Sequence, residues 1–488
     1  MASKQFRMIR KPCYTKVFFL SLAFVFICIH SVANPGISTS DTSDSENLTH
    51  RIASVILIGN KLTRDHIIYR ELTFRIGDTL KMDEGTVLFK RSEENLLNTS
   101  LFNSVKITWI TDTLDQSINV YIIMTERWYV FPLPIFEIAE RNFNVWWETK
   151  DFSRVVYGGV LYWNNFRGRN ESLAATLRLG YTQRVSLFYE IPFIDKKQKA
   201  GLTFGFAYSR NRQSSFATQN DKVQYFKDEK EYAKRETGLS VAYVFRPDLY
   251  ETHGIEANFR SAEVLDTILK LNPEYFAGKK SSQQYFSFRY FYKLDHRDLV
   301  VYPLRGYYFD VEFVKNGIRL LNDDINLMYV SSRYRQFWDI GRNFYFSSGL
   351  SGKYSSNEFQ PYYNTRALGY GREYLRGYEF YVLDGQRYAL LKTNLKYALL
   401  KTRELKADFI PLPKFNVIPY AFYLNLYFDA GYVKDTQFQQ MNNLVNKWQY
   451  SGGIGIDFVT YYDMVFRLEH SLNKLGESGF FLHFTAPI

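Results

Sequence analysis

Residues 172–191 read SLAATLRLGYTQRVSLFYEI, and apolar side chains occupy almost every second position of this run. Successive side chains of a β-strand point to opposite faces, so the alternation predicts strands with one apolar face and one polar face. The same pattern recurs at residues 307–313 and 466–472. Each segment approaches the length of about 9 to 11 residues that a tilted strand needs to cross a bilayer. We therefore predict membrane-crossing β-strands.

The composition argues against a helical membrane protein. Aromatic residues make up 18% of the 488 residues, yet charged residues make up 23% and the mean hydropathy is -0.29. A lipid-facing strand needs only one apolar face, whereas a membrane helix needs a long apolar run. The chain beyond residue 142 has room for roughly 14 to 17 strands, which predicts a mostly β fold, a transmembrane antiparallel β-barrel of about 16 strands. The alternative is a soluble β-sandwich, but that fold would rarely expose so many Tyr and Phe side chains.

The first 33 residues have the order of a secretory signal peptide. Basic residues precede an apolar run from Val17 to Ile29, and the small-residue site Ser31–Ala33 follows. An uncleaved anchor helix is the alternative, but the apolar run is short and ends at a site typical of cleavage. Both cysteines, Cys13 and Cys28, lie in this segment, so we expect no disulfide in the mature chain. Residues 34–50 are rich in Ser, Thr and Asp, which predicts a flexible leader.

Residues 51–127 have the pattern of a small mixed domain. A short apolar strand at Val55–Ile58 precedes two amphipathic helical segments and two alternating strands. This order resembles a POTRA domain, the periplasmic module of outer-membrane assembly proteins. The residues that carry the resemblance are Gly59-Asn60, Arg70-Glu71-Leu72, Gly77-Asp78 and Leu101-Phe102-Asn103-Ser104-Val105. We therefore predict one POTRA-like periplasmic domain at 51–127 and a surface-antigen type barrel at 128–488.

The usual catalytic and cofactor motifs are missing from the sequence. The seven histidines are scattered, and no HExxH, GxSxG or Walker sequence occurs. We therefore predict no catalytic residue, no metal site and no cofactor, although distant barrel strands could still assemble an enzyme site. The net charge of +11 could indicate nucleic acid, but export of the chain argues against such a partner. Basic side chains in solvated loops explain the charge, with contact to acidic lipid headgroups as the alternative.

Several short blocks, in order, resemble the barrel of the superfamily that includes BamA, TamA and the two-partner secretion transporters. These blocks are YGG at 157–159, NFRGRN at 165–170, YEIPF at 189–193, DHRD at 295–298, LRGY at 375–378 and YFDAG at 427–431. The mid-barrel motif of this resemblance comprises Asp295, Arg297, Asp298, Pro303 and Gly306.

The resemblance implies that the sixth extracellular loop folds back into the barrel lumen. Its tip motif is Leu375-Arg376-Gly377-Tyr378, and Arg376 would reach Asp429 in the wall motif that ends at Gly431. A guanidinium can make a two-pronged bond to a carboxylate, and glycine lets the chain reverse tightly. The alternatives are a solvated loop end and a contact that only stabilises the barrel. Lys396 stands where the family often has a second wall carboxylate.

The function implied by the resemblance is insertion or translocation of other proteins at the bacterial outer membrane, without cofactor or nucleotide. The expected partners are unfolded outer-membrane or secreted client proteins, outer-membrane lipids and accessory lipoproteins. The seam between the first and last strands would admit client strands, and Pro487 would curtail backbone pairing there because it lacks an N–H. The alternatives are a secretion pore dedicated to one partner and a structural or porin-like barrel.

Overall fold

The computed structural model describes residues 49–112, 115–138, 155–228, 230–320, 324–371, 373–412, 414–460 and 462–484. The predicted signal peptide with its two cysteines, most of the predicted leader and Pro487 lie outside these residues. The chain from Thr49 onward belongs to one compact unit. No helix among the described residues is long and apolar enough to cross a membrane.

An α/β domain occupies the first part of the described chain. Its elements are β1 (Thr49–Ile58), α1 (Asp65–Arg70), β2 (Thr79–Lys81), α2 (Met82–Asn98), β3 (Phe102–Asp112) and β4 (Ser117–Glu126). The sheet has the order β2-β1-β4-β3, and β1 runs parallel to β4. A buried apolar core joins both helices to one face of this sheet; its fully buried members include Ile52, Ile68, Leu96 and Val120. The predicted order of elements is present, with β2 as an additional short strand.

Sixteen strands form a single antiparallel sheet, which is the strand number predicted from the sequence. They are β5 (Val130–Ile138), β6 (Val155–Phe166), β7 (Glu171–Gly180), β8 (Thr182–Ile191), β9 (Ala200–Asn211), β12 (Lys234–Phe245), β13 (Glu251–Val264), β14 (Ser282–Asp295), β15 (Gly306–Asn316), β16 (Leu327–Gly341), β17 (Phe344–Ser355), β18 (Arg387–Lys406), β19 (Val417–Lys434), β20 (Trp448–Thr460), β21 (Val465–Asn473) and β22 (Ser478–His483). Two further strands, β10 (Gln213–Gln219) and β11 (Lys222–Lys227), form a separate hairpin, so β9 pairs directly with β12. A short helix, α3 (Asp266–Leu271), lies between β13 and β14.

The sheet is apolar on its outer face and polar on its inner face. Along β19, Leu424, Leu426 and Phe428 are exposed on the outside, while Asn425 and Asp429 are fully buried on the inside. A row of exposed apolar side chains is unfavourable in water and suits the hydrocarbon core of a bilayer. The alternation therefore defines a membrane-spanning barrel with a polar lumen.

Long connections cap the end of the barrel that lies away from the α/β domain. Asp221, in the turn between β10 and β11, accepts hydrogen bonds from the backbone N–H groups of Asn443 and Leu444, each at 3.0 Å. Thr218 of the same hairpin donates to the Asp384 carboxylate at 2.5 Å. Three separate connections, which lie between β9 and β12, between β17 and β18, and between β19 and β20, are thereby joined to one another.

The α/β domain packs against the turns at the opposite end of the barrel. The Arg246 guanidinium, after β12, makes a two-pronged pair with the Glu71 carboxylate at 2.7 and 2.9 Å. Arg127 makes the same kind of pair with Asp463, between β20 and β21, at 2.9 Å for both bonds. These pairs engage barrel turns that are far apart in the strand order, so the domain spans the mouth of the barrel.

The first and last barrel strands stand at the two ends of the strand order. Among the described residues, no backbone ladder joins β5 to β22. The β22 strand is also short, with six residues in regular pairing with β21. Phe131 of β5 nevertheless lies edge-on to Tyr462, which precedes β21, at a ring separation of 5.8 Å. The first strand therefore approaches the turn between β20 and β21 near the α/β domain.

Candidate functional site: a buried loop in the barrel lumen

The connection between β17 and β18, residues 356–386, folds into the lumen. Its motif residues Leu375, Arg376 and Tyr378 are 1%, 0% and 2% exposed. A guanidinium at a solvated loop end would remain hydrated, and burying it is costly unless it is paired. The loop is therefore held inside the barrel by specific partners for this charge.

Asp429, on the inner face of β19, is the main partner of Arg376. The Arg376 Nε donates to Asp429 Oδ2 at 2.9 Å, and Nη2 donates to Oδ1 at 2.5 Å. The backbone N–H of Arg376 also donates to Oδ2, at 3.3 Å. Both side chains are fully buried. This planar, two-pronged geometry fixes the orientation of the guanidinium as well as its position.

The remaining N–H groups of Arg376 have acceptors on neighbouring strands. Nη1 donates to Asn394 Oδ1 at 2.7 Å, and Nη2 donates to the carbonyl oxygen of Thr393 at 3.2 Å. Glu469 Oε1, on β21, lies 3.4 Å from Nη1. The Tyr427 ring lies under the guanidinium, with its centroid 3.7 Å from the central carbon. The loop is thus tied to β18, β19 and β21 through one side chain.

The ion pair belongs to a longer row of buried charges along the wall. Arg467 on β21 pairs with Asp457 on β20, with Nη2 at 2.6 Å from Oδ2, and its Nη1 lies 3.5 Å from Glu469. Glu469 therefore stands between Arg376 and Arg467. Charges buried this way compensate one another, so removing one member leaves its partner buried and unpaired.

Two glycines shape the space around the motif. Gly377 has φ +80°, and a Cβ there would lie 3.4 Å from the side chains of Ser451 and Ser471, so the loop tip is pressed against β20 and β21. A Cβ on Gly431 would lie 2.5 Å from Leu375 Cδ1. Leu375 therefore packs against β19 at Gly431 because this residue has no side chain. The Tyr378 hydroxyl completes the contact by donating to Gln449 Oε1 at 3.1 Å.

Sequence reasoning did not single out the role of Asn394, Tyr427 and Glu469 as partners of Arg376. One signal was a polar or aromatic side chain at an inward-facing position of an alternating strand. A further signal lay in the glycine-rich run of β20, because a Cβ at Gly453 would meet the Tyr427 ring at 2.7 Å and one at Gly455 would meet Glu469 Cγ at 2.8 Å. Those glycines make room for the side chains that hold the loop.

Lys396 occupies the inner wall where the resemblance suggested a second carboxylate. It is 1% exposed, and its Nζ lies 4.1 Å from the centroid of the Tyr302 ring. Tyr302 in turn donates its hydroxyl to Asp457 at 2.6 Å. The second carboxylate near Arg376 comes instead from Glu469, on a different strand.

The mid-barrel motif builds the turn between β14 and β15, away from Arg376. Arg297 makes a two-pronged pair with Asp295, at 2.7 Å for both bonds. Asp298 accepts from the N–H groups of Leu299 and Leu304, and burial raises the pKa of its carboxyl group. Gly306 has φ +92°, where a Cβ would collide with the His296 carbonyl oxygen, and Pro303 is buried in the same turn. The motif therefore shapes a turn that faces the α/β domain.

The last strand also contacts the lumen network. His483 Nε2 lies 3.3 Å from Glu469 and 3.6 Å from Glu379, two residues beyond Gly377 in the loop. Its ring is stacked on Tyr374. A lumen cavity of about 1200 Å³ is lined by the loop, by Arg333 and Arg335 of the opposite wall, and by Leu482 and His483 of the last strand. Open space therefore connects the loop with the edge of the sheet.

No three His, Cys, Asp or Glu side chains of the described chain are grouped so that they could hold a metal ion. The described site consists of ion pairs, hydrogen bonds and aromatic contacts around one loop.

Together, the sixteen-stranded barrel, its polar lumen and the buried loop define a class of membrane barrel with an internal plug. Residues 165–460, more than half of the chain, match the family described as the Omp85 superfamily domain. The chain belongs to the Omp85 superfamily, which confirms the family inferred from the sequence motifs. Barrels of this superfamily reside in the bacterial outer membrane.

Solved structures that the chain resembles have low sequence identity to it, and their TM-scores lie below 0.5. BamA from Haemophilus ducreyi lacking POTRA domains 1-3 is 15% identical, with a TM-score of 0.48, over 87% of this chain and 81% of that one. CdiB from Escherichia coli is 9% identical, with a TM-score of 0.47, over 96% of each chain. CdiB from Acinetobacter baumannii is 13% identical, with a TM-score of 0.44, over 90% of this chain and 74% of that one. No curated protein sequence matches the chain.

Proposed function

We propose that this barrel inserts client proteins into the bacterial outer membrane or passes them across it, without catalysis and without a cofactor. The observation that carries the proposal is the fully buried pair of Arg376 with Asp429 in a barrel of the Omp85 superfamily. The pair holds a long loop inside the lumen, so a polypeptide could pass through the barrel only if this loop moved. One specific ion pair would allow the loop to be held in place at rest and released as a unit.

The seam between β5 and β22 is the proposed route for client strands. The support for this route is the lack of a described ladder between the two strands and the short pairing of β22. His483 of β22 lies against Glu469, which also contacts Arg376. Movement of the loop would therefore change the charge environment of the last strand, and the loop and the seam would respond together.

The α/β domain is the proposed POTRA-like domain, assigned to residues 51–127 and placed in the periplasm after removal of a signal peptide at 1–33. Its β3 strand is an edge of the sheet, and an extended client segment would pair with that edge by strand addition. The domain spans the mouth of the barrel through Glu71 and Arg127. A client held on β3 would thus be delivered directly at the barrel opening.

A secretion pore dedicated to one partner is the second candidate. The observation that favours it is the presence of one α/β domain within the described residues, together with Lys396 in place of a wall carboxylate. One domain offers fewer edges for diverse clients than several would. Accessory lipoproteins and outer-membrane lipids are further proposed partners of either candidate.

Depletion of the protein, followed by quantitative proteomics of the outer-membrane and secreted fractions, tests the proposal. Broad loss of barrel proteins is the expected result for a general insertion factor. Loss of one or a few proteins would instead support the dedicated pore. Unchanged levels of every outer-membrane and secreted protein would refute both roles.

A further inference from the structure

One hairpin of the barrel extends well beyond its neighbours on the side of the α/β domain. The last pair between β17 and β18 is Phe344 with Tyr397, whereas β18 continues to Lys406. The eight residues from Leu399 to Lys406 extend the strand by about 26 Å. We name the segment from Leu399 to Tyr420, which includes the turn to β19, the projecting hairpin.

The projecting hairpin has one unpaired backbone edge. On one side, β18 pairs with β19 through Arg403 with Tyr420 and through Lys406 with Val417. On the other side, no described residue forms a ladder with residues 399–406. An unpaired edge presents a row of free N–H and C=O groups, which is a template for an added strand. The opposite edge of the hairpin is short and contains Pro419, which has no N–H to donate.

The side chains of this hairpin are unusual for a protected edge. Charges such as Lys on an edge strand commonly prevent unwanted pairing. Here, however, large apolar side chains are exposed as well: Leu405 by 54%, Phe409 by 86% and Leu412 by 52%. Leaving such groups in water forgoes the stabilisation that burial would give. The combination of free backbone and exposed apolar surface is that of a docking edge.

The charge on the free edge selects the kind of partner. Residues 401–406 are all exposed and carry Lys401, Arg403 and Lys406 against one carboxylate, Glu404. Lys406 is paired locally with Asp408 at 3.2 Å, and among the described residues Arg403 has no carboxylate within ion-pair distance. A segment with acidic side chains would complement this surplus positive charge.

The hairpin is also anchored beside the α/β domain. Asn103, at the start of β3, donates to the Lys414 carbonyl oxygen at 2.7 Å, and Lys414 Nζ donates to the Arg127 carbonyl oxygen at 3.2 Å. Phe415 stacks on Tyr462 at 5.4 Å. The turn and the β19 side of the hairpin are therefore held by the domain and by the β20–β21 turn, while the free β18 edge lies on the other side of the hairpin at the barrel mouth.

We infer that the edge of β18 at residues 399–406 is a second strand-receiving site, which takes an extended client segment of alternating apolar and acidic residues. The inference deepens the proposed function, since it names where a client would pair with the barrel itself. Strand addition would align the client backbone with β18 and place its acidic side chains near Arg403. Apolar side chains of the client that extend past Lys406 would cover the exposed Phe409 and Leu412 side chains of the turn.

The test uses the purified full chain and a fluorescent nine-residue peptide of alternating Val and Glu. Binding is measured by anisotropy, with a second peptide whose central Val is replaced by Pro. We expect the proline peptide and the Arg403→Glu variant each to weaken binding by about tenfold. The charge reversal Lys279→Glu, in the connection between β13 and β14 at the other end of the barrel, should leave binding unchanged. Equal binding of both peptides, or equal binding by wild type and Arg403→Glu, would overturn the inference.

A disulfide-trapping experiment locates the peptide independently. In a chain with Cys13 and Cys28 replaced by serine, Arg403→Cys should trap a peptide that carries a cysteine in place of one glutamate, whereas Ile418→Cys on the paired strand should not. Equal trapping at both positions would contradict pairing at the β18 edge. Because purified protein is used, failure here leaves the depletion result for the proposed function untouched.

Discussion

Glu469 Oε1 lies 3.4 Å from Nη1 of Arg376, and its other carboxylate oxygen lies 3.3 Å from His483. One carboxylate on β21 thus faces both the lumen loop and the last strand. Asp429 provides the stronger, two-pronged contact to Arg376, but Glu469 is the residue that links the loop to the edge of the barrel.

Replacing the arginine should release the loop. The Arg376→Ala change leaves Asp429 buried without its two-pronged cation, which should cost roughly 3–5 kcal/mol. We expect faster tryptic cleavage within residues 356–386 while the barrel remains folded in the membrane. Arg305→Ala is the matched control, because Arg305 forms an exposed pair with Asp339. Equal cleavage of the loop in wild type and Arg376→Ala would refute the seating role of Arg376.

The two carboxylates should differ in their effects. Asp429→Asn removes the negative charge and replaces by NH₂ one of the two oxygens that accept side-chain bonds at 2.9 and 2.5 Å, whereas Glu469→Gln weakens a contact at 3.4 Å. We therefore expect Asp429→Asn to increase loop cleavage more than Glu469→Gln does. Glu469→Gln should instead have the larger effect on the accessibility of a cysteine placed at Leu482. The reverse ranking in the two assays would contradict the assignment of separate roles.

The seat of Leu375 should not tolerate a side chain. Gly431→Val places new atoms where Leu375 Cδ1 now lies, only 2.5 Å from the Cβ position. Overpacking of this kind costs about 1–3 kcal/mol and should displace the loop. Gly238→Ala is the control, since a Cβ there meets no atom within 4 Å. Thermal unfolding followed by near-ultraviolet circular dichroism should show a lower transition temperature for Gly431→Val alone.

The α/β domain should loosen when its pairs to the barrel are broken. Arg246→Ala leaves Glu71, which is 3% exposed, without its two-pronged partner. We expect a broader distance distribution between spin labels at Lys90 and Arg342, measured by pulsed electron spin resonance. The distance distribution should become narrow again in the double variant Glu71→Arg/Arg246→Glu, which exchanges the two charges. A distribution that is unchanged by Arg246→Ala would show that this pair does not hold the domain.

Acidification should also weaken the contact between the α/β domain and the barrel, through protonation of His296. Burial and the nearby Arg91 lower the pKa of His296, whose ring lies between Tyr250 and Tyr307 at 4.4 and 4.8 Å. A His whose pKa is lowered by docking is more easily protonated in the undocked state. Docking is therefore strongest above the pKa of the free His, about 6.5, and it weakens as the pH falls below that value. The label distances should broaden between pH 7.5 and 5.5, and His296→Phe should abolish the change. A pH response retained in His296→Phe would assign it to another group.

The sequence was sufficient for the features that depend on local pattern. Alternation at residues 172–191 predicts strands, and the strand length and chain length predict sixteen of them, as the structure has. The contact of Arg376 with Asp429 came from motif resemblance alone, because no local pattern specifies which of many lumen side chains a loop will meet. The structure places these two residues together.

The features that sequence reasoning missed depend on register. Glu469 reaches Arg376 only because β21 pairs with β20 in one register, which sets Glu469 opposite Gly455 and beside the loop tip. The projecting hairpin exists because β18 extends beyond the end of β17. Where a strand ends is set by its partner strand as much as by its own sequence. The hydrogen bond from the Tyr302 hydroxyl to Asp457 likewise joins the turn between β14 and β15 to the distant strand β20.

The central claim is that seating of the lumen loop by Arg376 is required for the handling of client proteins. The most direct measurement replaces the chromosomal protein with Arg376→Ala, with Arg305→Ala as control, and quantifies client proteins in the outer-membrane and secreted fractions. The account predicts that Arg376→Ala reaches the membrane at the wild-type level but that its clients fall as they do on depletion, while Arg305→Ala supports normal levels. Normal client levels in Arg376→Ala cells would contradict the account.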